Sequence, residues 1–258
     1  MNYQDILFDT ANGVATITLN RPHDFNGLTR QMRGELAHAV ARAGKEARAI
    51  LLTGAGEAFC AAEDLGAGRS AVDVDLEQLA RDELGPLLAA INASDAPIIA
   101  AVNGPAAGTG ANLALACDIV IAARSATFRQ SLTLAGLMPD MGGGFFLPRQ
   151  IGMPRAMGMA LFAEPIPAPQ AAEWGLIWEV VDDAGLAARA DELATRLALG
   201  PTRAYAAIRK TMRAGLSRSF DGHMGEEARL QGDLGRTRDF AEGVAAFLDG
   251  RDPEFEGR

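Results

Sequence analysis

Side chains that cross-link a fold or hold a transition metal are scarce in this chain of 258 residues, which has two cysteines, Cys60 and Cys117, and three histidines, His23, His38 and His223. Two cysteines make no disulfide framework, and a reducing cytoplasm is the compartment that suits them. The histidines are scattered, without helix-face ligand spacing and with no cysteine beside them, so no metal site is expected. Long apolar runs are missing too. The longest, residues 98–102 and 113–123, are too short or too interrupted to span a bilayer, so no membrane partner is expected. The first ten residues lack the basic start and apolar run of a signal peptide. No cluster of Lys and Arg stands out and the net charge is −9, which argues against a nucleic-acid partner.

What is present is an ordinary globular composition, 48% hydrophobic and 22% charged, in a chain long enough for one large α/β domain. Residues 6–8 and 14–19 read as strands around an Asn12-Gly13 hairpin turn. Thr29 reads as the N-cap of a helix carrying Met32, Leu36 and Val40 at helical spacing. A short buried strand over 49–53 follows, then a helix over 76–91, a strand over 97–102, a Gly/Ala-rich loop over 104–110 with a short helix behind it, and a strand over 118–122. Strands alternating with helices imply crossover units and a largely parallel sheet. Helices are expected over 142–151 and 155–162, separated by Gly152 and Pro154. After a strand over 177–181 only helices are expected. The chain therefore divides into an α/β core, 1–183, and a helical region, 184–258.

Two segments carry chemistry. Phe59-Cys60-Ala61-Ala62-Glu63-Asp64-Leu65 and Asn103-Gly104-Pro105-Ala106-Ala107-Gly108-Thr109-Gly110-Ala111-Asn112 each place small residues just after a strand. Small residues let backbone N–H groups approach a ligand. Two such groups converging from two loops make an oxyanion hole, the device that holds a thioester carbonyl as it becomes an enolate. For either loop alone, tight strand-to-helix packing is the better explanation of the small residues.

Together the segments resemble the signature segments of the crotonase (enoyl-CoA hydratase/isomerase) superfamily. The resemblance extends over Thr18-Leu19-Asn20-Arg21-Pro22, Asn26-Gly27-Leu28, Gly136-Leu137-Met138-Pro139-Asp140-Met141-Gly142-Gly143, Ala172-Glu173-Trp174-Gly175-Leu176 and the terminal Pro253-Glu254-Phe255-Glu256-Gly257-Arg258. It implies a crotonase-like α/β fold, a spiral of ββα turns with a C-terminal helical trimerisation region, assembled as a homotrimer or homohexamer. It implies an acyl-CoA thioester substrate, CoA entering only as part of that substrate and no cofactor bound permanently. The oxyanion amides would be those of Glu63 and Thr109. CoA would meet Arg21, Asn26, Ala61, Asp64, Leu65, Lys210 and Phe255.

The carboxylates then decide the reaction. A hydratase of this family uses two glutamates to hold and activate water, and their places here, in the acyl pocket, are taken by Asn112 and Leu132. Neither side chain takes a proton from water near neutral pH. Asp140 and Glu63 are the remaining candidates. Asp140 lies among Leu137, Met138, Met141 and Phe145, surroundings that would raise its pKa and suit a proton shuttle; the alternative is a cap for the helix that opens near Gly142. Glu63 either faces the ligand or is a solvent-facing loop carboxylate. One carboxylate is enough to move a double bond, by carrying a proton from one carbon of an enoyl-CoA to another. The expected activity is therefore enoyl-CoA isomerisation, with hydration of 2-enoyl-CoA and a non-catalytic acyl-CoA binder as rivals. Cys60, beside the first segment, has no His near it in sequence and reads as a packing residue.

Overall fold

The computed structural model describes residues 2–61, 74–215 and 217–257. A hairpin opens the chain: β1 (Ile6–Ala11) pairs antiparallel with β2 (Val14–Leu19). Its two turn residues, Asn12 and Gly13, both adopt positive φ, 52° and 79°, which matches the right-handed twist of the strands. Helix α1 (Arg30–Glu46) begins where Thr29 Oγ1 accepts from Met32 N at 3.0 Å. That bond satisfies one of the helix's orphan amides.

From β2 onward every neighbour in the main sheet is parallel. The strand order is β1-β2-β3-β4-β6-β9, with β3 at Ala49–Gly54, β4 at Ile98–Val102, β6 at Ile119–Ala123 and β9 at Glu179–Val181. β4 is buried along its whole length, as a strand covered on both faces must be. Between β3 and β4 run α2 (Leu76–Leu79), a π-helical turn (Ala80–Leu84) and α3 (Gly85–Ala93). A second, small sheet joins β5 (Ala106–Ala107), β7 (Thr127–Arg129) and β8 (Ile166–Pro167). Helix α4 (Thr109–Leu115) follows β5, and α5 (Gly143–Phe162) breaks at Gly152, where φ is 75° and ψ 158°. A short α6 (Ala168–Glu173) leads to β9.

The helical region after residue 183 does not start as an appendage. Helix α7 (Leu186–Ala198) packs on the main sheet. Leu186, Ala190, Ala194 and Ala198 are buried along one face, and the small alanines let the helix approach the strands closely. α8 (Thr202–Gly215), α9 (Phe220–Leu234) and α10 (Arg238–Asp249) lie outside it. α8 is anchored by charge. Asp118 accepts from Arg209 Nε at 2.6 Å, from Arg213 Nη2 at 2.8 Å and from the amide of Ile98 at 2.8 Å. This anchor sits at the N-terminal edge of the sheet, where β4 and β6 begin.

A parallel sheet sends the loops that follow β3 and β4 out of the same, C-terminal edge. That topology brings together the two small-residue segments, which are 40 residues apart in sequence.

Candidate active site

The two segments are joined by backbone hydrogen bonds. Cys60 and Ala106 form a parallel bridge. Ala107 N donates to Cys60 O at 3.0 Å, and the amides of Phe59 and Cys60 point at Pro105 O at 3.2 and 3.3 Å. The junction is too close for a side chain at residue 110: a β-carbon there would overlap the carbonyls of Cys60 and Ala61. Behind it, Asn26 locks the loop. It is fully buried with φ 56°. Its Oδ1 accepts from Arg21 N at 2.8 Å, and its Nδ2 lies 2.9, 2.8 and 3.2 Å from the carbonyls of Ala55, Ala58 and Phe59. The Asn26 side chain is thus committed to bracing the loops. Arg21 donates to Gly27 O and Asp24 Oδ2 at 2.9 and 2.7 Å, keeping the same loop in shape at its partly exposed rim. Ala61 N donates to Phe25 O at 2.8 Å. Glu63, Asp64 and Leu65 lie outside the described residues.

Thr109 is the first residue of α4, and amides of a first helical turn have no acceptor within their own helix. Its hydroxyl donates to Asp140 Oδ2 at 2.6 Å. Asp140 reaches this point on a turn in which Met141 and Gly142 take φ of 44° and 79°, with Gly143 N bonded back to Asp140 O at 2.6 Å. The cap of α5 is Gly142, and no side chain caps it. Asp140 is therefore turned toward Thr109 and not spent as a helix cap. Its other oxygen, Oδ1, is buried and has no hydrogen-bond partner among the described residues. Burial pushes the Asp140 carboxyl above its ordinary value, against the hydrogen bond from Thr109, the nearby amide of Asn112 and the positive charge of Arg33, which pull it down. A carboxylate with one oxygen held and the other free in an apolar setting is poised to accept a proton.

Asn112 does not line an open pocket. It is fully buried, and its amide is closed into a ring of partners. Gln130 Nε2 donates to Asn112 Oδ1 at 2.8 Å, while Asn112 Nδ2 donates to Gln130 Oε1 at 3.2 Å and to Asp140 O at 3.0 Å. Both amide protons are used, and the side chain acts as a buried strut between Gln130 and Asp140. A β-carbon at Gly143 would stand 2.6 Å from Asn112 Nδ2, which is why glycine opens α5. Leu132 is half-buried in the one-turn helix Ser131–Ala135 and offers only apolar surface. No carboxylate occupies either hydratase position.

Two residues expected to meet CoA lie away from the loop edge of their own chain. Lys210 is on α8, beside the Asp118 anchor, and pairs with Glu226 at 3.2 Å. Phe255 has its carbonyl held by Arg48 Nη1 at 3.1 Å, and Arg48 precedes β3. Both therefore sit at the N-terminal edge, a strand length of roughly 16 Å from the loops. A cavity of about 1270 Å³ also lies toward that edge, between α3, α5, α8 and α9, and Asp140 does not line it. Cys60 is buried and its thiol is pushed up by desolvation, which leaves it inert. Among the described residues no group of His, Cys, Asp or Glu could hold a metal ion, and no helix is long and apolar enough to cross a membrane.

Sequence reasoning missed Gln130 and Arg33. Gln130 stands two residues before the vacant position at Leu132, close enough to have been weighed as a partner for Asn112. Arg33, three residues before Leu36, falls on the apolar face of α1, and that was a signal for a buried charge. It is buried and donates to Glu83 Oε2 from Nη2 at 2.6 Å and to Leu28 O from Nη1 at 2.5 Å.

Comparisons with known proteins identify the family. A family model described as enoyl-CoA hydratase/isomerase matches residues 9–258. A Rhodobacter capsulatus protein named "Probable enoyl-CoA hydratase" is 54% identical over 258 residues, covering 100% of both chains. The 1,2-epoxyphenylacetyl-CoA isomerase of Escherichia coli is 42% identical, with 98% of each chain covered. A crystal structure of an enoyl-CoA hydratase from Bacillus anthracis superposes with a TM-score of 0.91 at 32% identity, covering 99% of this chain and 100% of the other.

Proposed function

The chain belongs to the enoyl-CoA hydratase/isomerase family, and on that premise we propose that it moves a double bond within an enoyl-CoA thioester, with Asp140 carrying the proton. The observation behind this reading is the lone carboxylate: Asp140 is bonded to Thr109 while Asn112 and Leu132 stand where a hydratase carries glutamates. In the forward step, Asp140 takes the α-proton of a 3-enoyl-CoA. The electrons of that C–H bond form the C1–C2 double bond of a dienolate as the carbonyl π pair moves onto the thioester oxygen, and C2–C3 becomes double only when the C3–C4 pair takes up a proton at C4. Backbone N–H groups of Thr109 and Glu63 stabilise the oxygen. Protonated Asp140 then returns the proton to C4, giving 2-enoyl-CoA with no change in mass. No water is consumed, so the closed amide ring around Asn112 costs this reaction nothing.

The isomerase name of the 42% identical relative supports the same class of chemistry, and its named substrate belongs in the panel of thioesters to be assayed. Hydration, which the name of the 54% identical relative suggests, is the rival outcome. The purified protein incubated with a 3-enoyl-CoA should generate the ultraviolet absorbance of the conjugated 2-enoyl product. Failure with every thioester, alongside measurable CoA binding, would point to a non-catalytic acyl-CoA binder.

The pH dependence follows from burial. The working form of Asp140 is the carboxylate, and its folded-state pKa is raised. kcat/KM should therefore climb with pH through a value above the ordinary Asp range and reach its plateau beyond it. An acid limb centred at or below the ordinary Asp value would contradict Asp140 as the base.

Assembly as a homotrimer, or a pair of trimers, is part of the proposal. Exposed Phe240, Val244, Phe247 and Leu248 share one face of α10, and exposed Met153, Met157 and Leu161 recur at four-residue spacing on α5. Apolar stripes of this kind are covered in stable assemblies. CoA would meet Arg21 and Ala61 at the loop edge of one chain, with Asp64 and Leu65 part of the same proposal, whereas Lys210 and Phe255 would reach a CoA only on a neighbouring copy.

A further inference from the structure

We propose that Gln130 is a positioning residue for the proton carrier, acting on Asp140 through the buried amide of Asn112. This inference rests on the isomerase reading for its kinetic consequences, although the geometry stands without it.

The chain of contacts is short and closed. Gln130 is fully buried at the end of β7, one residue before the turn that leads toward Asp140. It shares two hydrogen bonds with Asn112, 2.8 and 3.2 Å long. The second proton of Asn112 Nδ2 goes to the carbonyl of Asp140 at 3.0 Å. Asn112 is on α4 together with Thr109, whose hydroxyl holds the Asp140 carboxylate at 2.6 Å. Asp140 is thus gripped twice from one helix, by its carbonyl and by its carboxylate. Gln130 fixes the orientation of the amide that makes the first grip. Asn112 could turn its amide end for end without Gln130, and its oxygen would then face the Asp140 carbonyl, with the loss of that bond. The turn it holds carries the positive φ of Met141, a conformation that needs support from outside. A displacement of about 1 Å at a proton carrier costs up to about a hundredfold in rate.

Chemistry at residue 130 therefore separates positioning from packing. Gln130→Met keeps the length and removes both hydrogen bonds. Gln130→Glu does something more specific. Its protonated form still donates to Asn112 Oδ1 as the glutamine does, and its ionised form cannot. The expected results are that Gln130→Met lowers kcat about tenfold or more with KM within about twofold, and that Gln130→Glu works near the wild-type level at the acid end of the profile but loses activity as pH rises, a basic limb the wild type lacks. A readout free of turnover comes from the carboxyl resonances of protein labelled with carbon-13 aspartate, the Asp140 signal being assigned by its loss in Asp140→Asn. Asp140 should titrate in one step in the wild type and in two coupled steps in Gln130→Glu. Should Gln130→Glu fail to fold, Gln130→Met carries the test through its split of kcat from KM.

If the wild type isomerises no thioester yet the coupled titration appears, the positioning role stands and the isomerase reading falls. Wild-type kcat in Gln130→Met, or an Asp140 titration in Gln130→Glu identical to the wild type, would overturn the proposal and leave Gln130 as packing.

Discussion

Asp140→Asn should lower isomerisation by about 10²–10⁴-fold, the usual contribution of a general acid–base, while affinity for the thioester changes little. The substitution preserves size and leaves Asn Oδ1 able to accept from the Thr109 hydroxyl, which stands 2.6 Å from Asp140 Oδ2. It removes only the group that takes and returns the proton. Stability should hold or rise, because burial disfavours the charge of Asp140 and its Oδ1 has no partner among the described residues. A carboxyl whose folded pKa lies above its unfolded value makes the fold less stable as pH climbs through that interval, and asparagine has no such penalty. Steady-state rates and thermal melts on the same preparation check both halves. A variant that melts like the wild type and turns over at more than about a tenth of its rate would show that another group carries the proton.

Asp118→Ala should cost about 3–5 kcal/mol of folding stability, the scale for breaking a buried ion pair by removing one partner. Asp118 and Arg209 have side-chain exposures of 16% and 6%, so solvent screens their interaction little. Arg209 already has one buried nitrogen, Nη1, with no partner among the described residues, and its Nη2 is committed to Ile91 O at 2.8 Å. Removing Asp118 strands the remainder of the charge and frees the amide of Ile98 at the start of β4. Arg213 loses its carboxylate too, though it keeps Ala116 O at 2.9 Å. Denaturant titration of wild type and variant measures the loss, and the release of α8 should appear as faster amide exchange in residues 202–215. A loss below about 1 kcal/mol would mean that apolar packing, and not this cluster, holds the helical region to the sheet.

How far the sequence carried the account depends on the length scale of each signal. Local rules were enough for the Asn12-Gly13 turn, the Thr29 cap and the parallel strands, since each depends on residues a few places apart. The break between the two halves of α5 was legible from Gly152 and Pro154, and it occurs at Gly152. The second sheet was not legible. Its strands β5 and β8 have two residues each and β7 has three, too few to show any periodicity. The helix expected over 76–91 is interrupted by the π-helical turn at Ala80–Leu84, which no alternation of side chains announces.

The same contrast holds at the site. Asp140 and Thr109 were found from their segments, and the structure puts them in contact. Asn26 and Asn112 were also found, but not the bonds that occupy their side chains. A sequence shows that an asparagine is near a ligand loop, and it does not show that backbone carbonyls and Gln130 have already used its amide. The position of Lys210 and Phe255 in the fold was not legible for a further reason. Which edge of a sheet a C-terminal helix covers is set by contacts such as Arg209 with Asp118 and Arg48 with Phe255, more than 90 residues apart in the chain. Those pairings leave no local trace.

The central claim is that this enzyme relocates a double bond and does not add water. The most direct measurement is the mass of the products formed from 3-enoyl-CoA and 2-enoyl-CoA in water enriched in oxygen-18. The account predicts interconversion of the two thioesters at constant mass, without oxygen-18, abolished by Asp140→Asn. A product heavier by one labelled water, formed by the wild-type protein, would contradict it and restore hydration.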